Sequence, residues 1–105
     1  MSIIEYNKLV RDKIPQIIEN DGKSCNIRIL DDDEYMEMID AKLSEELTEY
    51  NNDKSIEELA DLLEVIYAAA KARGYSRKDL DVIRNKKLKE RGGFENKVFL
   101  ETVIG

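Results

Sequence analysis

The chain reads as an all-α domain, a helical bundle whose antiparallel long helices carry an acidic site, with short marginal strands near the middle and the C-terminus. Three observations predict this. Apolar residues recur at helical spacing through two long stretches. Asp or Ser caps stand in front of three helical stretches. The connection between the two long stretches is so short that they must be antiparallel neighbours. A length of 105 residues fits one domain over residues 1–105, with no repeat and no evident linker.

Taken in order, Asp12 to Asn20 predicts a short helix, with Asp12 or Lys13 near its start and Pro15 in the first turn, where a missing N–H does no harm. Asp21-Gly22-Lys23 is a turn. Asn26-Ile27-Arg28-Ile29-Leu30 alternates apolar and polar, the pattern of a short strand. Asp31-Asp32-Asp33 then supplies the N-cap and first-turn acids of a long helix to about Tyr50. Its apolar stripe is Met36, Ile39, Leu43, Leu47 and Tyr50. Asn51 to Asp53 read as a tight turn. Ser55 and Glu58 form an S-x-x-E capping box for a second long helix to about Arg73, cored by Leu59, Leu62, Leu63, Ile66 and Ala70. Gly74 ends that helix. Ser76 and Asp79 open a third, which stops near Arg91 before Gly92-Gly93. Lys97 to Ile104 has the β-branched content of a terminal strand or an extended arm.

Composition removes whole classes of chemistry. The chain has no histidine, which excludes Ser-His-Asp and Cys-His catalysis and His-ligated zinc. Its one cysteine, Cys25, has no internal disulfide partner and reads as a structural thiol in a reducing cytoplasm. No apolar run approaches the ~20 residues that span a bilayer, and the charged N-terminal stretch does not read as a signal peptide. The net charge of −6 is unevenly placed. Residues 31–70 hold fourteen acids against Lys42 and Lys54 alone, while residues 71–105 hold ten bases against five acids. An acidic middle with basic flanks suits a metal-bound polyphosphate and opposes a general grip on nucleic acid.

The acids with the most to say are Glu46 and Glu49, in E-x-x-E, and Glu58 and Asp61, in E-x-x-D. Residues three apart share a helix face, and the hairpin brings the end of one helix beside the start of the next. Carboxylates that close repel unless a hard cation lies between them, so the set predicts a Mg²⁺ site, with Mn²⁺ a possible substitute. Glu46 falls on the apolar stripe, where an unpartnered carboxylate is costly. The bland alternative is that Glu58 caps its helix and Asp61 is simply exposed.

Glu45-Glu46-x-x-Glu49 followed by Glu58-x-x-Asp61 resembles the signature of the all-α nucleoside triphosphate pyrophosphohydrolases, the superfamily of MazG, dimeric dUTPases and phosphoribosyl-ATP pyrophosphohydrolases. Glu57 to Ile66 (EELADLLEVI) is especially similar. Tyr6 to Pro15 (YNKLVRDKIP) and Lys89 to Phe94 (KERGGF) resemble a MazG-like subgroup of small proteins. Eight residues separate Glu49 from Glu58, fewer than in many MazG proteins. The resemblance implies Mg²⁺-dependent cleavage between the α- and β-phosphates of a nucleotide. It implies Glu46, Glu49, Glu58 and Asp61 as metal ligands, Glu45 as a support behind them, and Glu46 or Glu49 as the group that activates water. It also implies a homodimer or homotetramer.

A triphosphate needs cationic partners as well as a metal. Arg84, Lys87 and Arg91 share a face of the third helix and are candidates, as are Lys8, Arg11 and Lys13 in the N-terminal segment. A solvated basic surface is the alternative for both groups. The leading expectation is a house-cleaning nucleotide pyrophosphohydrolase in the cytoplasm. Phosphoribosyl-ATP hydrolysis is the enzymatic alternative, and a non-catalytic helical interaction module is the alternative of a different class.

Overall fold

The computed structural model describes residues 2–105, and among them it has four helices and no strand. They are α1 (Ile14–Asn20), α2 (Asp32–Asp53), α3 (Ile56–Ala72) and α4 (Arg77–Arg91). The all-α expectation holds. The two short strands do not form, because an extended segment becomes a strand only when a second one accepts its ladder hydrogen bonds. Residues 26–30 have no such neighbour. Arg28 instead forks onto the Glu34 carboxylate, at 2.9 and 2.5 Å. Residues 97–104 likewise form no strand.

The caps explain where the helices begin. Asp31 accepts the Glu34 N–H at 2.8 Å, and Asp32, Asp33 and Glu34 occupy the first turn of α2, at the positive end of its dipole. The helix runs past the expected turn, so that Asn51 to Asp53 form its last turn. Lys54 ends it with a left-handed φ of 58°, donating its N–H to the Tyr50 carbonyl at 2.7 Å. Ser55 then accepts the Glu58 N–H at 3.3 Å and starts α3.

A two-residue connection folds α3 back along α2. At the open end of this hairpin Arg73 donates to Asp40 at 2.7 Å. Between the helices lie Ile39 and Val65, 4% and 9% exposed, the two buried apolar side chains among the described residues. The Ser76/Asp79 box of α4 has both its bonds, at 2.9 and 3.0 Å, and Arg77 stacks on the Tyr67 ring at 3.9 Å. Beyond that point contact is lost. Every residue from Val82 to Gly105 is exposed.

The molecule measures 65 × 31 × 24 Å, with a radius of gyration of 18.5 Å. A compact chain of this length has about 13 Å. The core therefore sits in one hairpin, and the site hangs on it.

Candidate metal centre

Glu46 sits on the inward side of α2 with its side chain only 12% exposed. Glu58 and Asp61, one turn apart on α3, face it. One carboxylate oxygen from each of the three lies within 4.8 Å of the others. Oxygens on opposite sides of a Mg²⁺ ion with 2.0–2.1 Å bonds are about 4.2 Å apart. A small side-chain adjustment therefore closes this set on a hard cation, and the all-oxygen donor chemistry fits Mg²⁺ or Mn²⁺.

The contrast between two similar caps locates the pressure in the site. In α4 the Asp79 side chain returns a bond to the Ser76 N–H. In α3 the Glu58 side chain does not return to Ser55; among the described residues it has neither a hydrogen-bond donor nor an ion-pair partner. Partial burial, and then repulsion from Asp61, Glu49 and Glu46, push its carboxyl above the usual range. The bland alternative for Glu58 thus fails in part: its backbone is capped, while its carboxylate is committed to the acidic cluster.

Cations come from far away in the chain. Arg11 donates to Asp61 at 2.8 Å, fifty positions on, and Lys8 donates to Glu45 at 2.7 Å. Lys42 lies 3.2 Å from Glu45 and 3.5 Å from Glu46. The hydrogen bond from Lys8, then that from Lys42, holds the Glu45 carboxyl below its ordinary range. Lys8 is correspondingly raised, chiefly by that same bond. The N-terminal segment therefore straps the carboxylate cluster with two positive charges.

The expected residues divide accordingly. Glu46, Glu58, Asp61, Glu45, Lys8 and Arg11 come together. Glu49 is exposed and outside the three-oxygen cluster, although its charge acts on Lys8 and Glu58. Lys13 is the N-cap residue of α1 and forms no side-chain cap. Arg84 pairs with Asp81 at 3.5 Å and Asn85 at 3.1 Å. Lys87 and Arg91 are exposed on α4, and among the described residues neither forms an ion pair. Lys42 was not among the expected residues, although helical spacing alone puts it on the face of Glu45 and Glu46, three and four positions before them.

No family model matches the chain, and no solved structure matches it. It is similar to an uncharacterized protein of Mycolicibacterium smegmatis, 52% identical over 42 residues. That stretch is 40% of this chain and 43% of the relative's length.

Proposed function

We propose that the protein is a Mg²⁺-dependent nucleoside triphosphate pyrophosphohydrolase, cleaving between the α- and β-phosphates to release a nucleoside monophosphate and pyrophosphate. The observation that carries this reading is the convergence of Glu46, Glu58 and Asp61 beneath the cationic strap of Lys8 and Arg11. A bound metal supplies phosphate neutralisation and activation of water. Glu46, Glu58 and Asp61 would hold it. Lys42 and Lys8 keep Glu45 charged and fixed beside Glu46, which restricts how that ligand turns. Arg11 and Lys8 lie where the phosphate tail needs cations. Water adds across the α–β anhydride and its proton passes to a carboxylate. The position of Glu49, at the rim and outside the ligand cluster, favours it for that step.

In this reading the working form is a homodimer or homotetramer in the cytoplasm. The exposed apolar residues of α4 and the C-terminal arm support association, and the exposed Lys87 and Arg91 remain available as phosphate partners. No helix among the described residues is long and apolar enough to cross a membrane. The same exposed arm supports a second reading, a non-catalytic module that docks on another protein.

The test is pyrophosphate release from canonical and modified nucleoside triphosphates and from phosphoribosyl-ATP, with Mg²⁺ and with EDTA. Mg²⁺-dependent release that disappears in Glu46→Gln supports the enzyme. Preference for phosphoribosyl-ATP would move it to that branch, and silence from folded protein across the panel would favour the docking module.

A further inference from the structure

Beside the metal centre lies a cleft of about 750 Å³ lined by Asp12, Tyr35, Glu64, Tyr67, Lys71 and Arg77, among others. Its size falls within the range of small-molecule sites, roughly 300–1,000 Å³. We propose that it is the nucleoside subsite of the molecule, taking the sugar and base of a nucleoside 5′-phosphate whose phosphates lie at the carboxylate cluster. This rests on the proposed function for the identity of the phosphate end.

Three observations carry it. The cleft adjoins the acidic site along the chain: Arg11 is bonded to Asp61 at 2.8 Å, and the next residue, Asp12, lines the cleft. Glu64 and Ala68 stand on the same side of α3 as Asp61, one and two turns further on, a rise of roughly 4.5–10 Å. A ligand lying along α3 therefore passes from one site into the other. Secondly, the cleft offers aromatic surface. Tyr35, Tyr67 and Tyr75 line it, and the Tyr67 ring already carries a flat guanidinium, that of Arg77, at 3.9 Å. A ring face that stacks a planar cation also stacks a nucleobase. Thirdly, its charged side chains are unpaired: among the described residues Asp12, Glu64 and Lys71 form no ion pair, and Arg77 is held only by its stacking on Tyr67, which a base could displace. The two carboxylates accept from sugar hydroxyls or from base amino groups, and the cations serve base carbonyls.

The experiment compares two probes on the full-length protein in Mg²⁺: a panel of nucleoside 5′-monophosphates, and inorganic tripolyphosphate, which has no nucleoside. Binding is read by titration calorimetry. Tyr75→Ala and Arg77→Ala alter exposed side chains and spare the hairpin core; Tyr67→Ala removes the stacking ring itself. Each variant is expected to weaken the best monophosphate, by about tenfold or more for Tyr67→Ala, and to leave tripolyphosphate unchanged. Unchanged monophosphate affinity in Tyr75→Ala and Arg77→Ala overturns the subsite, as does wild-type protein that binds tripolyphosphate and no monophosphate. Pyrophosphate release with KM unaltered in these variants would sink the subsite and leave the enzyme standing. Monophosphate binding lost in the variants, from a protein that hydrolyses nothing, would do the reverse.

Discussion

The α2–α3 hairpin and the stretch from Val82 to Gly105 have comparable stocks of large apolar residues and opposite fates. The hairpin buries Ile39 and Val65, half-buries Leu62 and Ile66, and fixes three carboxylates across the seam. Leu47, Leu59 and Leu63, expected in its core, stay exposed because two helices alone cover only one side of each stripe. The distal stretch exposes Val82, Ile83, Leu88, Phe94, Val98, Phe99, Leu100, Val103 and Ile104. The hairpin's helices meet because a two-residue connection leaves them no alternative. Helix α4 leaves the end of α3 with no such constraint: Leu80 is partly covered, and from Val82 onward its apolar residues are exposed. Burial, not composition, separates the two regions. The site belongs to the region that has a core.

The largest effect should come from that core. Ile39→Ala should cost about 2–5 kcal/mol, the usual range for such a truncation, whereas Val103→Ala in dilute protein should stay within about 0.5 kcal/mol. Thermal denaturation followed by circular dichroism makes the comparison. Equal losses would show that the arm is as well packed as the hairpin.

Next in size is the metal. Mg²⁺ at a hundredfold its dissociation constant should add about 2.7 kcal/mol, and Glu58→Gln should abolish that gain while stabilising the metal-free protein by removing one charge from the cluster. The pH dependence has a definite sign. The Glu58 carboxyl is raised in the folded state, so the native protein binds its proton more readily than the unfolded chain does. Metal-free stability therefore falls as pH rises through that range, and metal affinity falls as pH drops through it. Calorimetric Mn²⁺ titrations across mildly acidic pH should show affinity lost earlier than an ordinary glutamate would give. A flat profile would remove Glu58 from the ligands.

Smaller effects probe the helix ends that frame the two regions. Lys54 adopts a left-handed φ of 58°, a conformation costing a non-glycine residue roughly 1 kcal/mol or more, so Lys54→Gly should raise the melting temperature. Ser76→Ala should remove about 1 kcal/mol of capping from α4. A loss confined to α4 in hydrogen exchange would show that α4 opens separately from the hairpin. Arg28→Ala, which frees an exposed fork from Glu34, should be the least of all. Glu34 is held below its ordinary range mainly by the hydrogen bond from Arg28. What that pair contributes is therefore present at neutral pH and lost on acidification.

Local chemistry was legible in the sequence. Caps at Asp31, Ser55 and Ser76, the stop at Gly74, and the pairing of Glu46 with Glu58 and Asp61 all follow from spacing within one helix or across one short turn. Several local readings failed, the terminal strand and the Glu58 half of the Ser55 capping box among them. Asn51 to Asp53 have turn-forming side chains, yet α2 continues through them because Lys54 supplies the left-handed residue that ends it. Asn26 to Leu30 has a strand's alternation, but alternation without a neighbouring strand satisfies no backbone hydrogen bond. The docking of Lys8 and Arg11 on acids 37 and 50 positions away left no periodic mark, because the strap is irregular backbone. Nor could spacing tell that Arg84 would turn to Asp81 and Asn85 on its own helix.

The elongated outline has a hydrodynamic consequence. A particle 65 Å long and 31 × 24 Å across has more frictional drag than a sphere of equal mass. A single 12.2 kDa chain of this shape leaves a gel-filtration column early and sediments slowly, so elution volume exaggerates its mass while a velocity run analysed as a sphere understates it. Oligomeric state must therefore be read from light scattering or sedimentation equilibrium, which weigh the particle without reference to its shape.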